Sequence, residues 1–112
     1  MGIYETIERN KLKKNKKLTK SALKEANRIA KILCNEFGAK EVILYGSILK
    51  NKFNSSSDID LAVKGLGDNY FKAFGYCIRN SEFEIDIKPY EELKDNFKKK
   101  VSQIGKIILI KN

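Results

Sequence analysis

The sequence predicts an α+β (α/β) domain, a small mixed β-sheet with helices packed mainly on one face, and three observations carry that prediction. Apolar residues recur at helical spacing in three stretches, around 20–37, 70–78 and 93–104. Three short runs, 42–45, 58–63 and 82–88, are instead wholly apolar or alternate, as strands do. With 112 residues, 42% of them hydrophobic, the chain can bury one modest core and no second lobe.

In chain order, residues 1–18 form a basic N-terminal segment and residues 19–112 a single domain. The segment opens with Ile3, Tyr4 and Ile7 and then carries Arg9, Lys11, Lys13, Lys14, Lys16 and Lys17. A nucleic-acid-binding arm and a docking segment for a partner are both open readings, and a solvated, partly frayed lead-in to the first helix is the plainer and preferred one. From about Lys20 to Phe37, Ala22, Ala26, Ile29, Ala30 and Leu33 share a helical face. Thr19 or Ser21 is placed to cap its start, and Gly38 to take the left-handed position after its end. Val42–Tyr45 is a covered strand that delivers Gly46 and Ser47 to its end, followed by a helical turn at Ile48–Lys50.

Asn54–Ser57 reads as loop and leads into the second strand, Asp58–Val63. After a glycine-containing loop, Asp68 or Asn69 is set to cap a short helix whose Tyr70, Phe74, Cys77 and Ile78 share a face. Phe83–Ile87 is the third strand. Pro89 suits the start of a helix that runs through Leu93, Phe97 and Val101 to about Gln103, with Lys98–Lys100 on its outer side. Ile107–Ile110 is a short final strand or an apolar tail, and an exposed tail would point to a partner surface.

Composition narrows the chemistry. No histidine is present, which excludes Ser-His-Asp and Cys-His catalysis, and with only Cys34 and Cys77 an ordinary structural zinc site is excluded too. Both cysteines have apolar neighbours and read as buried thiols in a reducing compartment. No stretch approaches the roughly 20 apolar residues of a membrane span, nor has the N-terminus the apolar stretch of a secretory signal, so a cytoplasmic protein without membrane contact is expected. The net charge of +9 attracts polyanions such as nucleoside triphosphate, nucleic acid or an acidic partner, but equally serves solubility.

The acids are more specific. In a strand, Asp58 and Asp60 point to one face while Ile59, Leu61 and Val63 take the other. Two carboxylates about 6.5–7 Å apart along the backbone can lean in to hold two divalent ions about 3.5–4 Å apart, the separation used in phosphoryl chemistry. A solvated acidic edge strand is the plainer explanation, and the apolar neighbours Leu61–Val63 argue against it, because unpaired carboxylates on a covered strand are costly. A third carboxylate is available from Asp86 or Glu84, which have the same parity.

These residues resemble the minimal nucleotidyltransferases of the DNA polymerase beta-like superfamily. The resemblance rests on strand, Gly46-Ser47, ten residues, Asp58-Ile59-Asp60 and the later strand Glu84-Ile85-Asp86-Ile87, spanning about Glu41 to Leu93. The family commonly has Arg and Gly three and four residues after the Ser. Lys50 and Asn51 stand there here, keeping a positive charge and a residue tolerant of left-handed geometry.

What the resemblance implies is a nucleotidyltransferase fold and Mg²⁺-dependent transfer of AMP from ATP. Asp58, Asp60 and Asp86 would be the metal-binding and catalytic residues for two Mg²⁺ ions, and Asp86 is preferred over Glu84 by its place in the family's pattern. Gly46, Ser47 and Lys50 would hold the triphosphate. It also implies a partner, a small HEPN-domain toxin adenylylated on a Tyr hydroxyl and thereby neutralised by this chain as antitoxin. Two other classes stay open: an antitoxin that neutralises by binding alone, and a basic RNA- or DNA-binding module, which the sequence favours less.

Overall fold

Helix α1 spans Ile3–Phe37 in the computed structural model, which describes residues 3–111 and the side-chain surroundings of residues 13–111. It starts far upstream of Lys20, a correction to the expected cap and to the expected frayed lead-in. Thr19 does not cap; its Oγ1 donates one turn back to the Asn15 carbonyl at 2.8 Å. Neither Gly nor Pro interrupts residues 3–37, and Lys and Leu are good helix formers, so nothing in the basic segment stops the helix. At 1.5 Å per residue it is about 50 Å long, and the whole molecule's longest dimension is 56 Å. The side chains of Arg9 and Lys11 lie outside the described surroundings. Gly38 ends the helix at φ 79°.

Four strands follow: β1 (Glu41–Tyr45), β2 (Ile59–Lys64), β3 (Ile85–Pro89) and β4 (Lys106–Ile110). They form one sheet in the order β3-β2-β1-β4, with β1 antiparallel to β2 and β4, and β2 parallel to β3. A parallel pair needs a crossover, and helix α2 (Tyr70–Asn80) supplies it. The mixed sheet expected from the sequence is present, and the C-terminal apolar run is a paired edge strand rather than a tail.

Alternation along the strands sorts the core. Val42, Leu44, Leu61, Val63 and Ile87 pack against α1 and α2, where Ala22, Ala26 and Ala30 leave room for a helix to lie close to the sheet. The opposite face is covered by α3 (Asp95–Ile104), whose Val101 and Phe97 meet Ile43, Tyr45 and Ala62, and by Tyr90 and Leu93 just before it. That thinner face is where Asp60 and Asp86 point.

Three local expectations are corrected. In α2, Tyr70, Phe74 and Cys77 pack on the core as expected, joined by Ala73, but Ile78 does not share that face and is 60% exposed. Neither Asp68 nor Asn69 caps α2; Asn69 Nδ2 instead donates to the Phe37 carbonyl at 3.0 Å, tying α2 to the end of α1. Pro89 is the last residue of β3, opposite Val63, which an edge strand tolerates, and α3 begins only at Asp95 after a 3-10 turn at Tyr90–Glu92. Cys34 and Cys77 are buried and unpaired. Among the described residues, no helix is long and apolar enough to cross a membrane.

Candidate functional site

Strand register builds the site. Parallel pairing sets Asp60 opposite Asp86, and antiparallel pairing sets Tyr45 opposite Asp60. Directly paired residues share a face, so Tyr45, Asp60 and Asp86 form a row across β1, β2 and β3, with backbones about 4.8 Å apart. Asp58 stands one residue before β2, half-exposed, and the neighbouring Ile59 amide is fixed to the Glu84 carbonyl at 2.9 Å. Glu84 itself is exposed and precedes β3.

The turn after β1 comes to the same place. Gly46 has φ 88° and ψ −154°, a conformation that is essentially glycine's alone. A Cβ built there would lie 2.2 Å from Asp60 Oδ2, so the missing side chain is also what admits the carboxylate. Ser47 then opens a single 3-10 turn, Ser47–Leu49, and its carbonyl accepts the Lys50 amide at 3.0 Å. Asn51 closes the turn at φ 55°, the left-handed geometry its identity allows. Lys50 is exposed, and among the described residues it forms no ion pair with the acids.

Charge crowds around Asp60. Burial, then the Asp86 carboxylate, and least the Asp58 carboxylate push its pKa from 3.8 to about 6, against the opposing pull of Lys88. Lys88 Nζ pairs with Asp86 Oδ2, and that hydrogen bond raises the lysine pKa. Tyr45 is only 8% exposed, and burial first raises its pKa too. Its hydroxyl is buried without a hydrogen-bond partner in good geometry, although the Lys88 ammonium is near enough to act on it. Burial, and then the Asp86 charge, also raise the pKa of Tyr70, whose hydroxyl donates to the Ile87 carbonyl at 2.8 Å.

Sequence reading singled out neither Lys88 nor Tyr45. Parity carried the signal for Lys88, which shares the face of Glu84 and Asp86. Tyr45 could be found only through the strand register, which no local pattern specifies.

The donor set is all carboxylate, which suits a hard divalent cation such as Mg²⁺. Among the described residues no trio of acids is drawn tightly enough to form a preformed cage, and Lys88 supplies the positive charge. Burial first, and then the Asp86 charge, disfavour the Asp60 carboxylate; a divalent cation would offset both, so the chemistry of the donor set fits one.

The family model described as "Nucleotidyltransferase domain" matches residues 26–109 of this chain, a span that includes the Gly46 turn and all three aspartates. A solved structure described as a mutant of the toxin-antitoxin MntA-HpeT superposes with a TM-score of 0.62 and 20% sequence identity, covering 77% of this chain and 73% of that one. At that identity the likeness is one of fold. No curated protein sequence matches.

Proposed function

Since this chain belongs to the nucleotidyltransferase-domain family, we propose that it transfers AMP from ATP to a tyrosine hydroxyl of a partner HEPN-domain toxin and so acts as an antitoxin in the cytoplasm. The observation that carries the reading is the meeting of Asp60, Asp86 and the Gly46 turn at one end of the sheet. The toxin-antitoxin description of the MntA-HpeT relative in fold supports the partner assignment.

In this reading Asp58, Asp60 and Asp86 hold Mg²⁺, which when bound supplies charge neutralisation to the triphosphate. The chain's own groups do the rest. Gly46 leaves its backbone open to a phosphate, and Ser47 can donate its hydroxyl to the β- and γ-phosphate oxygens. The acceptor hydroxyl oxygen bonds to the α-phosphorus as the bond to the bridging oxygen breaks, and pyrophosphate carries away the electron pair. Asp86 stands where it can accept the hydroxyl proton, once Lys88 turns from it towards the phosphates. The thinly covered face leaves the acceptor to bring its own binding surface.

A binding antitoxin with an idle site is the second reading, favoured by the Lys88–Asp86 pair and the exposed Lys50. Labelled ATP and Mg²⁺, with and without the partner toxin, separate the two. Label on the partner that disappears with Asp58→Asn and Asp60→Asn supports transfer. Full neutralisation by those variants without label refutes it.

A further inference from the structure

We propose that the groove between the N-terminal part of α1 and the loop after the Gly46 turn binds the phosphodiester backbone of a nucleic-acid strand. The groove has a volume of about 920 Å³. Lys14, Lys17 and Ser21 line it from the helix, and Lys52, Ser55 and Ser56 from the loop. The three helix residues recur at i, i+3 and i+7, so they form a continuous face, with Leu18 beneath them packed towards the core. Every polar side chain on the two walls can donate to a phosphate oxygen, and none is acidic. The basic tract ends where the adjoining pocket, past Leu18, takes in Glu82 and Glu84.

The helix itself argues for an anionic occupant. Solvated helix faces ordinarily mix signs, yet Lys13–Lys24 contains six lysines and no acid. Lys13 lies beside Lys16 and Lys17, Lys17 beside Lys14 and Lys20, all at the three- and four-residue spacings where like charges repel. This stretch extends beyond the buried face that begins at Ala22, so packing does little to offset that repulsion. Neutralisation by a bound polyanion would.

Between the two polyanion classes, the side chains favour phosphate. Lysine is a common point-charge ligand of phosphate, and the hydroxyls of Ser21, Ser55 and Ser56 beside Lys14, Lys17 and Lys52 can each donate to a phosphate oxygen. The loop wall continues through Ser57 straight into Asp58, so a strand lying in the groove runs alongside the acid-bearing edge. The proposal uses none of the metal-binding residues and stands apart from the transfer reaction.

Anisotropy of a fluorescein-labelled single-stranded RNA and of its DNA counterpart, titrated with the full chain over a series of salt concentrations, tests it. Three lysines on a single strand give a slope of log K against log salt of about −2, roughly a fifteenfold loss for a fourfold rise in salt. The pair Lys14→Glu/Lys17→Glu should weaken binding at least about tenfold and flatten that slope by more than one. Lys99→Glu/Lys100→Glu on α3 should leave it unchanged, and circular dichroism should show all variants folded. Preference for RNA or for DNA identifies the sugar, and either supports the groove. Binding indifferent to the α1 reversal, no salt-dependent binding to either strand, or tighter binding to labelled polyglutamate would overturn the proposal; the last would assign the groove to an acidic protein.

Discussion

Replacing Asp60 by Asn should stabilise the metal-free protein while disabling it. Asp60 titrates at about 6 in the fold against 3.8 as a free side chain, because burial and the Asp86 charge disfavour the carboxylate. An acid whose folded pKa is raised binds more protons when native than when unfolded, so stability falls as pH climbs from about 4 to about 6 and stays lower above that window. At 1.36 kcal/mol per pH unit the full penalty is about 3 kcal/mol, and solvent screening at this half-exposed carboxyl reduces it to about 1–2 kcal/mol.

Chemical denaturation in chelator at about pH 7.5 should therefore find Asp60→Asn more stable by about 1–2 kcal/mol, equivalent to a melting temperature roughly 5–10 °C higher. Below about pH 4 the two proteins should coincide, since the parent carboxyl is then neutral in both states. Excess Mg²⁺ should narrow the gap by stabilising the parent alone. A variant no more stable than the parent at neutral pH, or a gap that persists undiminished in acid, would refute the charge argument and leave packing as the cause.

Three further outcomes follow from the same geometry. Gly46→Ala combines a backbone conformation foreign to other residues with a Cβ 2.2 Å from Asp60 Oδ2, so it should lower stability by about 2–3 kcal/mol and abolish transfer, read by denaturation and by labelled product. Lys88→Met removes the cation paired with Asp86 and should tighten Mn²⁺ binding several-fold by calorimetry; weaker binding would mean that the ammonium supports the site rather than competes for it. Tyr45→Phe deletes a buried hydroxyl that has no well-formed hydrogen bond, only the nearby Lys88 ammonium, and should be neutral or stabilising by about 1 kcal/mol, a result that a loss of stability would contradict.

Legibility in the sequence followed the range of the interactions. Strands β1 to β3 and the Gly46 turn were readable because alternation and a glycine report local backbone demands, and the left-handed Asn51 was readable for the same reason. The extent of α1 was not, since the apolar stripe that marks a buried helix stops near Ala22 while helix propensity continues without it. The delayed start of α3 was hidden because Pro89 suits a helix start and a strand's edge equally well. At the site, the placement of Asp86 beside Asp60 depends on parallel pairing across the α2 crossover, and the roles of Lys88 and Tyr45 exist only once three strands are side by side. Spacing could name the acids, but not their neighbours.

A crystal structure with Mn²⁺ and a non-hydrolysable ATP analogue tests the central claim most directly. Anomalous scattering should place Mn²⁺ among the carboxylates of Asp58, Asp60 and Asp86, with the triphosphate against Gly46 and Ser47 and Lys88 swung away from Asp86. Metal bound elsewhere, or a nucleotide that leaves the Gly46 turn untouched, would contradict it.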